Sequence, residues 1–99
     1  MDAESKLSVA RAEALFVSDA SISDQLTRQQ ATALISKAVR TYHGVRGCAA
    51  EVAAAYGDHP DVAPSRMRWA CAVVDVLYPT RRPRVPSCAG RAAAHELAA

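Results

Sequence analysis

Apolar residues recur at helical spacing in four stretches of this chain. The stretch 47–78 reads as the organising one: a short alanine-rich helix, a Gly-Asp-His-Pro break, and a longer, more apolar helix. In the short helix, Cys48, Ala49, Val52, Ala53 and Tyr56 fall along one side and Glu51 faces water; Gly57 follows, where a left-handed cap is wanted. Pro60 disfavours a helical conformation at His59. Pro64 suits a first helical turn. The spacing therefore predicts a loose turn over 60–63 and a helix over 64–78. On that helix Met67, Ala70, Cys71, Val74, Leu77 and Tyr78 form one apolar line, while Trp69, Val73 and Val76 form a second. Such a helix is central to a bundle or has one face in a partner.

Upstream, 2–17 predicts a helix with Leu7, Ala10, Ala14 and Val17 on one face and fraying at its polar start. Residues 18–23 (SDASIS) read as a loop. Thr27 and Gln30 have the spacing of a capping box, with Leu26 placed as a hydrophobic staple. Ala31, Leu34, Ile35, Ala38, Val39 and Tyr42 continue that helix, which His43 ends and Gly44 caps. The link 45–47 is short, so this helix and the one from Cys48 are expected to be neighbours. After Tyr78, Pro79, Pro83 and Pro86 alternate with Arg81, Arg82 and Arg84, which predicts an extended or disordered basic tail over 79–99. The expected architecture is thus one all-α domain over 1–78, a bundle of three to four helices with a helix-turn-helix-like pair, and a tail.

Composition agrees. The chain has 99 residues, 51% of them hydrophobic and only 5% aromatic, which favours close-packed helices over sheets. Charge is uneven: 1–63 carry six basic and eight acidic side chains, 64–99 six basic and two acidic. A basic C-terminal third suits an acidic partner or is simply a solvated tail. Three cysteines without a CxxC pair argue against a disulfide framework. No apolar run reaches membrane-spanning length. A reduced, cytoplasmic protein is expected, without membrane contact.

Chemistry is sparse. Cys48, Cys71, Cys88, His43, His59 and His95 include no closely paired ligands, so no metal and no cofactor is expected. His59 between Asp58 and Asp61 has the composition of an acid–base cluster, but turns carry such residues for capping alone. No nucleophile with a base at readable spacing and no phosphate-cradling glycine loop occurs, so no catalytic residue is assigned and a non-enzymatic regulator is expected.

Two roles remain open. One is binding of duplex DNA: Val52, Ala53, Tyr56 and Gly57 have the pattern of the first half of a helix-turn-helix, Val62, Met67 and Ala70 would fill the buried positions of the second, and Ser65, Arg66 and Arg68 would project toward phosphates or guanine edges. The long turn and the apolar second helix depart from that motif. The other is a protein partner or a homodimer held on Trp69, Val73 and Val76.

The segments EALFVSD, GCAA, GDHP and RMRWA, spread over about residues 13–78, together resemble a group of short actinobacterial proteins. That resemblance implies a bacterial source and a cytoplasmic location, and carries no activity. The ending Glu96-Leu97-Ala98-Ala99 resembles a bacterial degradation tag on an accessible tail.

Overall fold

The computed structural model describes residues 3–79, with side chains from residue 5 onward. Among these there are four helices and no strand: α1 Ala3–Phe16, α2 Arg28–Thr41, α3 Val45–Asp58 and α4 Ala63–Leu77. The expected all-α bundle is therefore observed. The expected disordered tail, with Cys88, His95 and the Leu-Ala-Ala ending, lies outside the described residues except for Pro79.

The bundle is organised around α1 rather than around the α3–α4 pair. Helix α1 packs against each of the other three, most extensively against α4, whereas α3 and α4 touch only slightly. Ala12, Ala14, Leu15 and Phe16 are all buried, so this part of α1 is enclosed almost all round. The single face expected from Leu7, Ala10, Ala14 and Val17 is corrected accordingly: Leu7 is half exposed and Ser8 takes a buried place. Alanine makes the close approach possible. Ala12, Ala31 and Ala70 are fully buried on three different helices, where a larger side chain would force the axes apart. Val74, Cys71, Ala63 and Tyr78 complete this core, and Val52 enters it from α3.

Helix α2 starts as its sequence dictates. The Thr27 hydroxyl accepts from the Gln30 amide at 3.1 Å, and the Gln30 side chain accepts from the Thr27 amide at 2.9 Å. Its end differs from expectation. His43 itself takes the left-handed conformation, φ 63°, and the Gly44 amide donates back to the Val39 carbonyl at 2.7 Å. Helix α3 then begins at Val45, so the expected link 45–47 is helical. The close α2–α3 corner explains Gly47: a Cβ there would lie 1.6 Å from the Tyr42 carbonyl oxygen. Along α3 the buried positions are Cys48 and Val52, with Ala55 half-buried; Ala53 is exposed, and Gly57 lies inside the helix rather than capping it.

Pro64 sits in the first turn of α4, as expected. The preceding turn is closed by the Val62 and Ala63 amides, which both donate to the His59 carbonyl. The first apolar line of α4 faces the core. Cys71 is disulfide-bonded, which corrects the expectation of a reduced protein without disulfides. No helix among the described residues is long and apolar enough to cross a membrane.

Candidate functional site

Phe16 ends α1, and Arg66 lies in the first turn or so of α4, which comes back past it. The last carbonyls of a helix have no partner within it and carry its negative pole. Arg66 supplies both a donor and a cation there. Its Nε donates to the Phe16 carbonyl at 2.6 Å, and its Nη2 to the carbonyls of Ser18 at 3.0 Å and Ala20 at 2.9 Å, with Leu15 a more distant acceptor at 3.4 Å. The guanidinium also lies 4.9 Å from the Trp69 ring centroid and 5.9 Å from that of Phe16. Burial pulls its pKa below that of an ordinary arginine. Arg66, expected to reach toward phosphate, is thus turned inward and held by backbone. Ser65 and Arg68 are exposed, and Arg68 Nη2 donates to Ser65 Oγ at 3.1 Å.

Beside this node an open groove of about 560 Å³ lies between the end of α1 with its following loop, the end of α3 and the start of α4. Buried Phe16 and Ala63 and half-buried Ala55 form its floor. Ile22 and Val62 stand at its edge, each 57% exposed. Tyr56 stacks on Phe16 with ring centroids 6.1 Å apart, supporting the floor from α3. Val62 was expected to fill a buried helix-turn-helix position. It is instead displayed, because the turn 59–62 carries it outward.

The groove is flanked by exposed carboxylates. Asp61 lines it together with His59 and Arg66, and Asp24 Oδ2 accepts from the amide of Ser21, another lining residue, at 2.9 Å. Lys and Arg number eight within 3–79, and so do Asp and Glu; the chain's surplus of +2 comes from the remaining residues. The folded bundle therefore offers no net positive field of its own to a polyanion.

Of the three residues expected to meet a partner, Trp69 and Val73 are half-buried against the core and Val76 is 75% exposed. At the far end of α4, the Tyr78 ring has the guanidinium of Arg11 at 4.1 Å and that of Arg28 at 5.0 Å, and its hydroxyl shares a hydrogen bond with Thr32 Oγ1 at 2.5 Å. These contacts tie α4 to α1 and α2. Cys48 is buried, its thiol 3.7 Å from the Ala38 carbonyl, and burial together with Glu13 raises its pKa, so it remains a thiol rather than a nucleophilic thiolate. Among the described residues no three His, Cys, Asp or Glu side chains converge as metal ligands.

Ile22 and Val62 were missed as site residues. The signal was present at Ile22, a β-branched apolar residue in an otherwise polar loop. No family model matches the chain, and neither a curated protein nor a solved structure does.

Proposed function

We propose that this chain is a small non-enzymatic protein-interaction module that accepts an apolar segment with flanking basic residues in the groove between Ile22 and Val62. The observation that carries this reading is the pairing of a buried apolar floor with two exposed branched residues at one open edge. Exposed apolar side chains scattered singly mean little; here two share the rim of one concave site of ligand-sized volume. The carboxylates of Asp61, in the lining, and Asp24, bonded to lining Ser21, favour a cationic partner over an anionic one while Arg66 is occupied by carbonyl oxygens.

Duplex DNA is the less favoured partner. Arg66 is occupied by carbonyl oxygens, and the bundle has no net charge within 3–79. Arg68 alone is a weak footprint, since duplex affinity grows with the number of phosphates neutralised. A disulfide such as that at Cys71 is uncommon in a reducing compartment, which disfavours a cytoplasmic location.

The test is selection of displayed random peptides on the full chain. Enriched peptides are expected to combine one or two large apolar residues with Arg or Lys, and to lose binding to Ile22→Asp. Enrichment of acidic sequences, or no enrichment alongside salt-dependent binding of duplex that Arg68→Glu removes, would favour the DNA reading instead.

A further inference from the structure

We infer that the groove receives the α2–α3 corner of a second copy of this chain, with Val45 seated on its apolar floor and Arg40 and Arg46 toward its carboxylates. The inference rests on the groove being a docking site and names its occupant.

The first argument is complementarity. Leu7, Ile22, Val45, Tyr56, Val62 and Val76 are the exposed large apolar side chains among the described residues. All but Val45 have an aspartate or glutamate within five positions along the chain; Ile22 and Val62, at the groove, neighbour Asp24 and Asp61. Val45 differs. Residues 40–50 hold no acidic side chain and include Arg40, His43 and Arg46. Arg40 and Arg46 are exposed, and neither meets a carboxylate among the described residues. Glu13 of α1 approaches from beneath, where its charge acts on buried Cys48. The corner thus offers an apolar side chain with cations, and the groove an apolar floor with carboxylates.

The second argument is placement. Val45 opens α3, whereas Ala55 of the groove floor and His59 of its lining lie at the other end of that helix. At 1.5 Å per residue, Val45 and His59 stand about 20 Å apart along one rigid element. A chain cannot seat its own corner in its own groove, so the two surfaces meet only between copies. Used in both directions the contact closes a pair; used in one direction it extends a row of copies.

The third argument is preorganisation. The Gly44 amide bonds back to the Val39 carbonyl, and Gly47 lies against the Tyr42 carbonyl, so Val45 is displayed without a loop having to order. Cys48 is buried and Cys71 is already disulfide-bonded, so neither offers a free surface thiol, and the contact needs none. An external apolar and basic partner competes with this contact, so self-association sets the threshold for binding.

The test is sedimentation equilibrium of the full chain, kept oxidised so that the Cys71 disulfide stays intact. One side chain and its flanking charges make a small interface, so concentrations run to about 1 mM. The apparent mass is expected to rise with concentration above the 10.5 kDa of one chain, and to fall back as salt is added. Val45→Asp and Val62→Asp are each expected to remain at the mass of one chain. An acidic residue suits the first turn of α3, and Val62 is exposed, so both variants should keep the parent's helical circular dichroism. Mixed one to one, they are expected to associate, because each supplies the surface the other lacks. Dilution of the parent should move the amides of Val45 and Arg46 together with those of Ile22 and Val62. A parent that stays monomeric, association untouched by either variant, a mixture that stays monomeric, or dilution shifts at Val76 alone would each overturn the inference. If the parent is monomeric but selected peptides bind and lose affinity with Val62→Asp, the docking site stands with another occupant. If neither copies nor peptides perturb the groove, the docking site falls as well.

Discussion

The Nε of Arg66 donates to the carbonyl oxygen of Phe16 at 2.6 Å, joining residues fifty positions apart and closing α1 with the start of α4. The same guanidinium serves Ser18 and Ala20. Truncation to alanine leaves these oxygens without their cationic donor. Hydrogen bonds to a charged group contribute about 1.5–3 kcal/mol each before losses to replacement water. Arg66→Ala is expected to lower stability by about 2–3 kcal/mol, read as a lower urea midpoint at unchanged slope. Arg66→Lys should recover only part, since an ammonium lacks the planar fork. A change within a few tenths of a kcal/mol would show that water replaces the guanidinium freely.

The α2–α3 corner makes two opposite predictions. Gly47→Ala places a Cβ on the Tyr42 carbonyl oxygen, so the corner must open, and a loss of about 2 kcal/mol or more is expected. His43→Gly removes a side chain from a left-handed position and is expected to raise stability by up to about 1 kcal/mol. Thermal melts of both variants check the pair; equal melting points for Gly47→Ala and the parent would refute the close approach.

How much of this was legible depends on where each contact's partner lies. The start of α2 was, because Thr27 and Gln30 are three residues apart and need nothing beyond each other. The start of α4 was, because Pro64 limits its own backbone. The role of Arg66 was not. An arginine in the first turns of a helix reads the same whether its donors meet a phosphate or carbonyls fifty residues away, and backbone acceptors leave no mark on residue identity. The centrality of α1 was hidden for a related reason: enclosure of residues 12–16 comes from three other helices, while periodicity reports only one face. Val62 was misplaced because its exposure depends on the turn 59–62, not on its own apolar side chain.

Tyr78 and Thr32 offer a separable pair. Tyr78→Phe keeps the ring beside the Arg11 and Arg28 guanidiniums and removes only the hydroxyl, which is bonded to Thr32 and donates to the Arg28 carbonyl at 3.4 Å. A cycle of Tyr78→Phe, Thr32→Val and the double variant is expected to give a coupling of about 1 kcal/mol in chemical denaturation. Additive single effects would mean that each hydroxyl is satisfied without the other, that of Tyr78 by the Arg28 carbonyl or water.

The Asp19 carboxylate accepts from Lys37 Nζ at 2.9 Å, and this bond followed by the charge of Lys37 lowers its pKa below 3.8. A depressed folded pKa adds stability above the unfolded value, and that stability is lost as pH falls through the folded one. Both side chains are well exposed, so the effect on stability is expected to be small. The titration itself is the better measure: Lys37→Ala should move the Asp19 carboxyl resonance midpoint upward toward 3.8. An unmoved midpoint would dismiss the pair.

The docking reading places recognition at Val62 rather than at Val76, although Val76 is the more exposed, at 75% against 57%. Both are surface valines, so neither Val62→Asp nor Val76→Asp should unfold the bundle. The decisive measurement is the affinity of one selected apolar and basic peptide for the full chain carrying each variant, by fluorescence polarisation. The groove account predicts about a tenfold or greater loss with Val62→Asp, the scale of one central contact residue, and a much smaller change with Val76→Asp. Unaltered binding by Val62→Asp, with the loss falling on Val76→Asp, would contradict it and put the partner on the outer face of α4.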